Sequence, residues 1–388
     1  MNSIASCVSH HEWVPHSIST TTVRAAMRLL VLTASSFTFS SPALAQSTGP
    51  DVRFQNVGDI ANFGAVGGIR GYSLGVETCN IGSSDLRWTN LNTPVLAMNA
   101  YQLHEGRLLQ IGMGWCRTSC CASASTGCGL SCNSHGGDVL GVGCRNVSSG
   151  SFGGMHSRLA ARSGVNAFTG EISSPTNQSG NAIFRRLQIH ETDLDPALNS
   201  GALYFAEGVY VGSDDAPAGN SLNNASHKRI EVSPGEYGLL SAGAMEVGVP
   251  CIRAWHDHGL GVGKADPRVE VQVVDVPGEG RYWVATKVTE VDGGGFLYDY
   301  AVFNLNSDRA AGSLSIALPA GVSVSGVSFH DVEYHSGEPY DNTDWISSAD
   351  SQSVMWRSPE TFAENPNSNA LRWGTMYNFW FTSLDGPR

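Results

Sequence analysis

Two short stretches carry the residue types of a metal or acid–base site. Trp255-His256-Asp257-His258 sets two imidazoles at i and i+2, and on an extended strand that spacing turns both to the same side. In His330-Asp331-Val332-Glu333-Tyr334-His335, read as extended chain, Asp331, Glu333 and His335 share one face and His330 takes the other. Neutral imidazoles with one or two carboxylates suit zinc, copper or non-haem iron. If the two stretches converge, they make a transition-metal site.

The loop Glu191-Thr192-Asp193-Leu194-Asp195 offers Asp193 and Asp195, with Glu191, as calcium ligands beside backbone carbonyls. Asn304, Asn306 and Asp308 offer a similar set, but Asn and Asp are also ordinary turn residues, so a plain loop is the simpler reading there. Neither set has the glycine and glutamate that complete an EF-hand loop. Gly71-Tyr72-Ser73-Leu74-Gly75 has the Gly-x-Ser-x-Gly pattern of a nucleophile elbow, which must open into a helix. Val76-Glu77-Thr78-Cys79-Asn80 reads instead as strand, so Ser73 is a nucleophile candidate in the wrong context.

Of nine cysteines, Cys7 belongs to the leader described below; the other eight are Cys79, Cys116, Cys120, Cys121, Cys128, Cys132, Cys144 and Cys251. Thiolate ligation by Cys116, Cys120, Cys128 and Cys132 has suitable spacing, but an even count in an exported chain predicts four disulfides, with pairing left open.

The elements that must position these residues are strands. Phe296, Tyr298, Tyr300 and Val302 alternate with Leu297, Asp299, Ala301 and Phe303, and Leu314, Ile316 and Leu318 give a second alternation after Asn304-Leu305-Asn306-Ser307-Asp308. Val322 and Val324 follow a Pro319-Ala320-Gly321 turn, which predicts an antiparallel meander. Further alternation covers 70–76, 95–113, 182–189, 202–211, 269–276 and 282–291, and Tyr377, Phe379 and Phe381 share one face of a last strand. No stretch keeps helical periodicity over three turns. Residues 114–180 are rich in Gly, Ser and Cys with few large apolar side chains, so covalent links must hold them.

The expectation is an all-β protein of predominantly antiparallel, sandwich-like sheets with a disulfide-stapled excursion. It divides into an N-terminal region, 46–215, and a C-terminal region, 216–388, which abut or share one core. Residues 1–45 read as a leader: Met27-Arg28 precedes the apolar Leu29-Leu30-Val31-Leu32, and Ala43-Leu44-Ala45 gives a signal-peptidase site, with Met27 as the start. No later run reaches the roughly 20 apolar residues of a membrane span. With 23 basic against 35 acidic residues, net −12, the chain is ill suited to nucleic acid or anionic lipid.

Two segments resemble a group of uncharacterised exported bacterial proteins rich in β structure. One is Gln110-Ile111-Gly112-Met113-Gly114-Trp115, leading through the cysteines to Leu140-Gly141-Val142-Gly143-Cys144. The other is Tyr298-Asp299-Tyr300-Ala301-Val302-Phe303-Asn304 with Asn306-Ser307-Asp308-Arg309. The resemblance implies export to the periplasm or cell exterior and a β-rich fold, and carries no activity. The His-x-His of residues 256–258 also resembles that of cupins, but the glutamate that follows it there is missing from Gly259-Leu260-Gly261-Val262-Gly263.

The expected role is extracellular binding or surface structure, toward a glycan, a polymer or another extracellular ligand. The competing class is an enzyme: a hydrolase or oxidase using a transition metal, or a serine hydrolase at Ser73. A binding module would present exposed aromatics, Trp345 first among them because it lies in a polar loop. An enzyme would bring at least three of the His, Asp and Glu candidates to one concave site.

Overall fold

The computed structural model describes residues 47–89, 93–119, 121–173, 178–333 and 337–387. The leader, Cys120 and His335 lie outside the described residues. Strand makes up 46% of the chain against 8% helix, and the sheets are antiparallel. The fold is all-β.

The first sheet has eleven strands. Its eight principal ones are β1 (Val52–Val66), β2 (Ile69–Asn80), β3 (Val95–His104), β4 (Arg107–Met113), β5 (Leu187–His190), β6 (Leu203–Val211), β7 (Ala225–Val232) and β8 (Leu239–Glu246). They run β1-β2-β5-β4-β3-β6-β7-β8, and the sheet curls until its two ends meet, Ser241 Oγ of β8 donating to Val57 O of β1 at 3.2 Å. Strands β7 and β8 lie beyond residue 216, so the first sheet extends into the expected C-terminal region; the chain leaves it only after Glu246.

A second sheet of five strands holds β9 (Val269–Val276), β10 (Gly280–Glu290), β11 (Phe296–Asn304), β13 (Val324–His330) and β16 (Thr375–Ser383), in the order β9-β10-β11-β16-β13. A third holds β12 (Ser313–Ala317), β14 (Ile346–Ala349) and β15 (Ser353–Arg357), with β15 in the middle. The expected meander is corrected here. Alternation from 296 to 324 is real, but β11 and β12 belong to different sheets, and β11 and β13 are separated by β16. Period two specifies a strand and leaves its partner open.

The second sheet is the middle layer. Strand β3 sends Leu96, Met98 and Ala100 into the interior of the curled sheet, and Ala97, Tyr101 and Leu103 outward against Ala285, Phe303 and Met376. Strand β16 repeats the device: Met376 faces the first sheet while Tyr377, Phe379 and Phe381 pack on Leu314, Val354 and Trp356 of the third. Gly208 on β6 is where Phe54 lies against bare backbone; a Cβ there would sit 2.6 Å from the ring.

Arg162, in the excursion, is buried and pins the layers. It donates to Gly114 O at 2.7 Å, Met98 O at 2.9 Å, Asn99 Oδ1 at 2.7 Å and Gly374 O at 3.0 Å. The excursion is stapled by Cys79–Cys128 and Cys132–Cys144. The expected four bridges are therefore two among the described residues, since Cys116 and Cys251 are buried free thiols. Both sit in the apolar layer between the first two sheets, where burial raises the Cys116 thiol to about 12.

Candidate functional site

Where β4 and β5 of the first sheet meet the end of β13, the layers leave a cleft of about 300 Å³. The first sheet supplies Gln102 and Gln110, His190 at the end of β5, and Asp193 from a one-turn helix, α1 (Glu191–Leu194). The second supplies Phe329, His330, Asp331 and Glu333, with Asn342 and Asp344 from the following loop. Val332, between the two carboxylates, is buried against Met113, so the loop is anchored with its acidic side chains on the cleft.

Asp331 is the most perturbed group in the cleft. Burial pushes its carboxyl up to about 7, the negative charges of Asp344 and Glu333 adding to the effect and an amide hydrogen bond from Asn369 opposing it. Asn369 is fully buried and fixed in turn: Tyr377 Oη donates to its Oδ1 at 2.7 Å, and Trp345 Nε1 to its backbone oxygen at 2.9 Å. His190 Nε2 lies 3.3 Å from Glu333 Oε2 across the cleft. Burial raises Asp193, His190 opposing and Glu333 reinforcing the shift. Burial lowers His330, whose Nε2 meets Gln110 O at 3.4 Å. The arrangement offers a carboxyl that holds a proton near neutral pH beside a carboxylate–imidazole pair open to solvent.

His330, Asp331, Glu333 and Asp193 thus line one cleft. His256 and His258 do not join them. They lie on a helix, α2 (Ala254–His258), where residues two apart point about 200° apart instead of to one side. His256 Nδ1 is 2.6 Å from Asp257 Oδ1; His258 packs on Phe205 and accepts from Gly263 N at 2.9 Å. Among the described residues no three His, Cys, Asp or Glu side chains are grouped to hold a metal ion.

The calcium set also diverges. Glu191 takes Arg70 at 2.6 Å, Asp195 Oδ1 caps a turn by accepting from Ala197 N at 2.9 Å, and only Asp193 lines the cleft. Asn304 closes its own loop, donating to Ser307 O at 2.9 Å and accepting from Ser307 N at 2.8 Å. Ser73 is fully buried within β2 with its hydroxyl 3.8 Å from the Met98 sulfur, in strand where an elbow would need a turn. Trp345, expected to be exposed, is 4% exposed and stacks on Phe329.

Sequence reasoning missed His190, Asp344 and Asn369. His190 stands beside the acidic loop, but its partner Glu333 is 143 residues away, and no local spacing records such a meeting. A larger cavity of about 430 Å³, lined by Phe168, Pro277, Phe362, Arg309 and Arg372, has no comparable acid–base grouping. There Arg309 pairs with Glu279 at 2.5 Å, and Arg372 gives Nη2 to the Pro366 and Ser368 carbonyls at 3.0 Å.

Compared with known proteins, the chain has no significant match to any family model, curated protein or solved structure.

Proposed function

We propose that the cleft around Asp331 is the acid–base site of an exported hydrolase that acts on an uncharged extracellular polymer, a neutral glycan first. The observation that carries this reading is the pair of unlike carboxyl environments. Asp331 is buried, braced by Asn369 and protonated up to about pH 7, while Glu333 is solvated and paired with His190 in the same cleft. In its neutral form Asp331 donates a proton to a leaving oxygen; Glu333, oriented by His190, takes a proton from attacking water. An acidic cleft on a chain of net charge −12 disfavours anionic substrates. Two disulfides suit an oxidising compartment outside the cytoplasm.

A second reading, glycan binding without turnover, draws on Phe329. Phe329 lines the cleft, and its ring stacks on Trp345 with 7° between planes, which would back a platform for a sugar face.

The test is reducing-end release from a panel of neutral, cationic and anionic polysaccharides, by wild type and Asp331→Asn. Turnover of a neutral polymer that falls roughly 10²–10⁴-fold in the variant supports the hydrolase. Binding with no release by wild type replaces it with the second reading. Release unchanged in Asp331→Asn removes the cleft from the mechanism.

A further inference from the structure

The two ends of the first sheet meet without a hydrogen-bonded ladder between them, and at that seam four side chains form a chain of contacts. Lys228 Nζ, on β7, donates to Asn56 Oδ1, on β1, at 2.9 Å. Asn56 Nδ2 donates to Glu77 Oε1, on β2, at 3.2 Å. Arg145 Nη1 holds the other carboxylate oxygen of Glu77 at 3.0 Å. Asn56 and Glu77 are direct cross-strand partners, and Asn56 follows a bulge at Gln55 that interrupts the register of β1. In the sheet order β1 stands at one end and β7 next to the other, so the lysine reaches its amide across the opening of the curl.

We propose that Lys228 and Asn56 are an autocatalytic crosslinking pair, with Glu77 as the proton carrier, and that the product is an isopeptide bond closing the first sheet. The amine nitrogen already touches the carboxamide it would attack, and the carboxylate already touches the group that would leave. Lys228 Nζ adds to Asn56 Cγ, the Cγ–Nδ2 bond breaks, and Glu77 takes protons from Nζ and delivers them to Nδ2. An ammonium side chain and a primary amide become a secondary amide and an ammonium ion. Atoms and charge balance with no oxidant, cofactor or second substrate. Arg145 orients Glu77 so that Oε1 is the oxygen turned to the amide.

The chemistry fits the place. Every other neighbour in the first sheet is joined by backbone hydrogen bonds, whereas the β1 end is tied across the seam by side-chain contacts such as Ser241 Oγ to Val57 O. One covalent link there fixes the curl where the ladder does not.

The experiment is mass spectrometry of the intact wild-type protein followed by peptide mapping. The expected result is a protein lighter than its sequence by one ammonia, with the peptides carrying Asn56 and Lys228 recovered as a single branched species. Lys228→Arg and Glu77→Gln should each keep the full sequence mass with both peptides linear. Wild type at full sequence mass with two linear peptides overturns the proposal, and this reading requires no variant to fold. An ammonia loss that persists in Lys228→Arg also overturns it, because the reacting amine would then lie elsewhere.

Discussion

Asn369 donates its side-chain amide to Asp331 while its own Oδ1 accepts from Tyr377 Oη at 2.7 Å. The second amide hydrogen is taken by Thr343 O at 3.1 Å, so donor and acceptor ends are both committed and the amide cannot turn over. A tyrosine in the packed face of β16 therefore fixes the orientation of an acid at the cleft, two contacts away.

Replacing Asn369 by Leu removes the larger of the two hydrogen bonds that oppose the rise of the Asp331 carboxyl, the other coming from its own backbone. Its titration should move above the wild-type value of about 7. Carboxyl-carbon NMR of Asp331 across pH reads the shift directly, and any hydrolytic activity should keep its acid-form dependence to correspondingly higher pH. A downward shift would mean that Asn369 does not touch the ionised form.

Two carboxyls, Asp215 and Asp331, are held near 7 by burial, well above the roughly 3.9 of an unfolded chain. The folded state binds more protons than the unfolded one in that interval. Their contribution to stability is complete below about pH 4, falls as pH rises and is gone above about 7. Thermal melts of Asp215→Asn and Asp331→Asn between these limits should show a shallower decline with pH than wild type.

His227 works in the opposite sense. Burial lowers its imidazole to about 4, against roughly 6.5 unfolded, while Nδ1 donates to Val249 O at 2.8 Å. Its contribution is complete above about pH 6.5 and is lost as pH falls toward 4. His227→Gln should lose part of the acid destabilisation seen in wild-type melts over that range.

Arg162→Met leaves its carbonyl acceptors and Asn99 Oδ1 in a dry interior. A loss of at least about 3 kcal/mol is expected from the unpaired acceptors alone, measured by urea unfolding. Arg162→Lys should recover little of it, because one ammonium cannot span four acceptors set around a planar guanidinium.

Breaking Cys79–Cys128 by Cys79→Ser/Cys128→Ser opens a loop of 49 residues, against 12 for Cys132–Cys144. Chain entropy gives about 4 and about 3 kcal/mol, so the longer bridge should cost more when removed, as read by parallel denaturant melts.

Much of the strand content was readable because it is local. The Tyr377, Phe379 and Phe381 stripe does face one layer, and the alternation at 296–303 is a strand. What local pattern could not hold was partnership. Nothing near Phe303 indicates that the next strand joins another sheet, and nothing in a Cys-rich stretch tells Cys128 to choose Cys79. The cleft was half visible for the same reason. Asp331 and Glu333 stood out as neighbours, and Asp193 as part of an acidic loop. Their meeting with His190 is set by the docking of two sheets. His256 and His258 were misread because a five-residue helix is too short to show its period.

Strand β16 sits between β11 and β13 although it is the last of the five to be synthesised. Until it arrives, its neighbours face an empty lane and neither apolar layer beside the second sheet can be sealed. Completing the second sheet therefore requires a strand to take its place between two edges that are already distant from it in sequence. Both apolar layers therefore depend on one strand, and anything that keeps residues 375–383 out of that lane leaves the second sheet split in two.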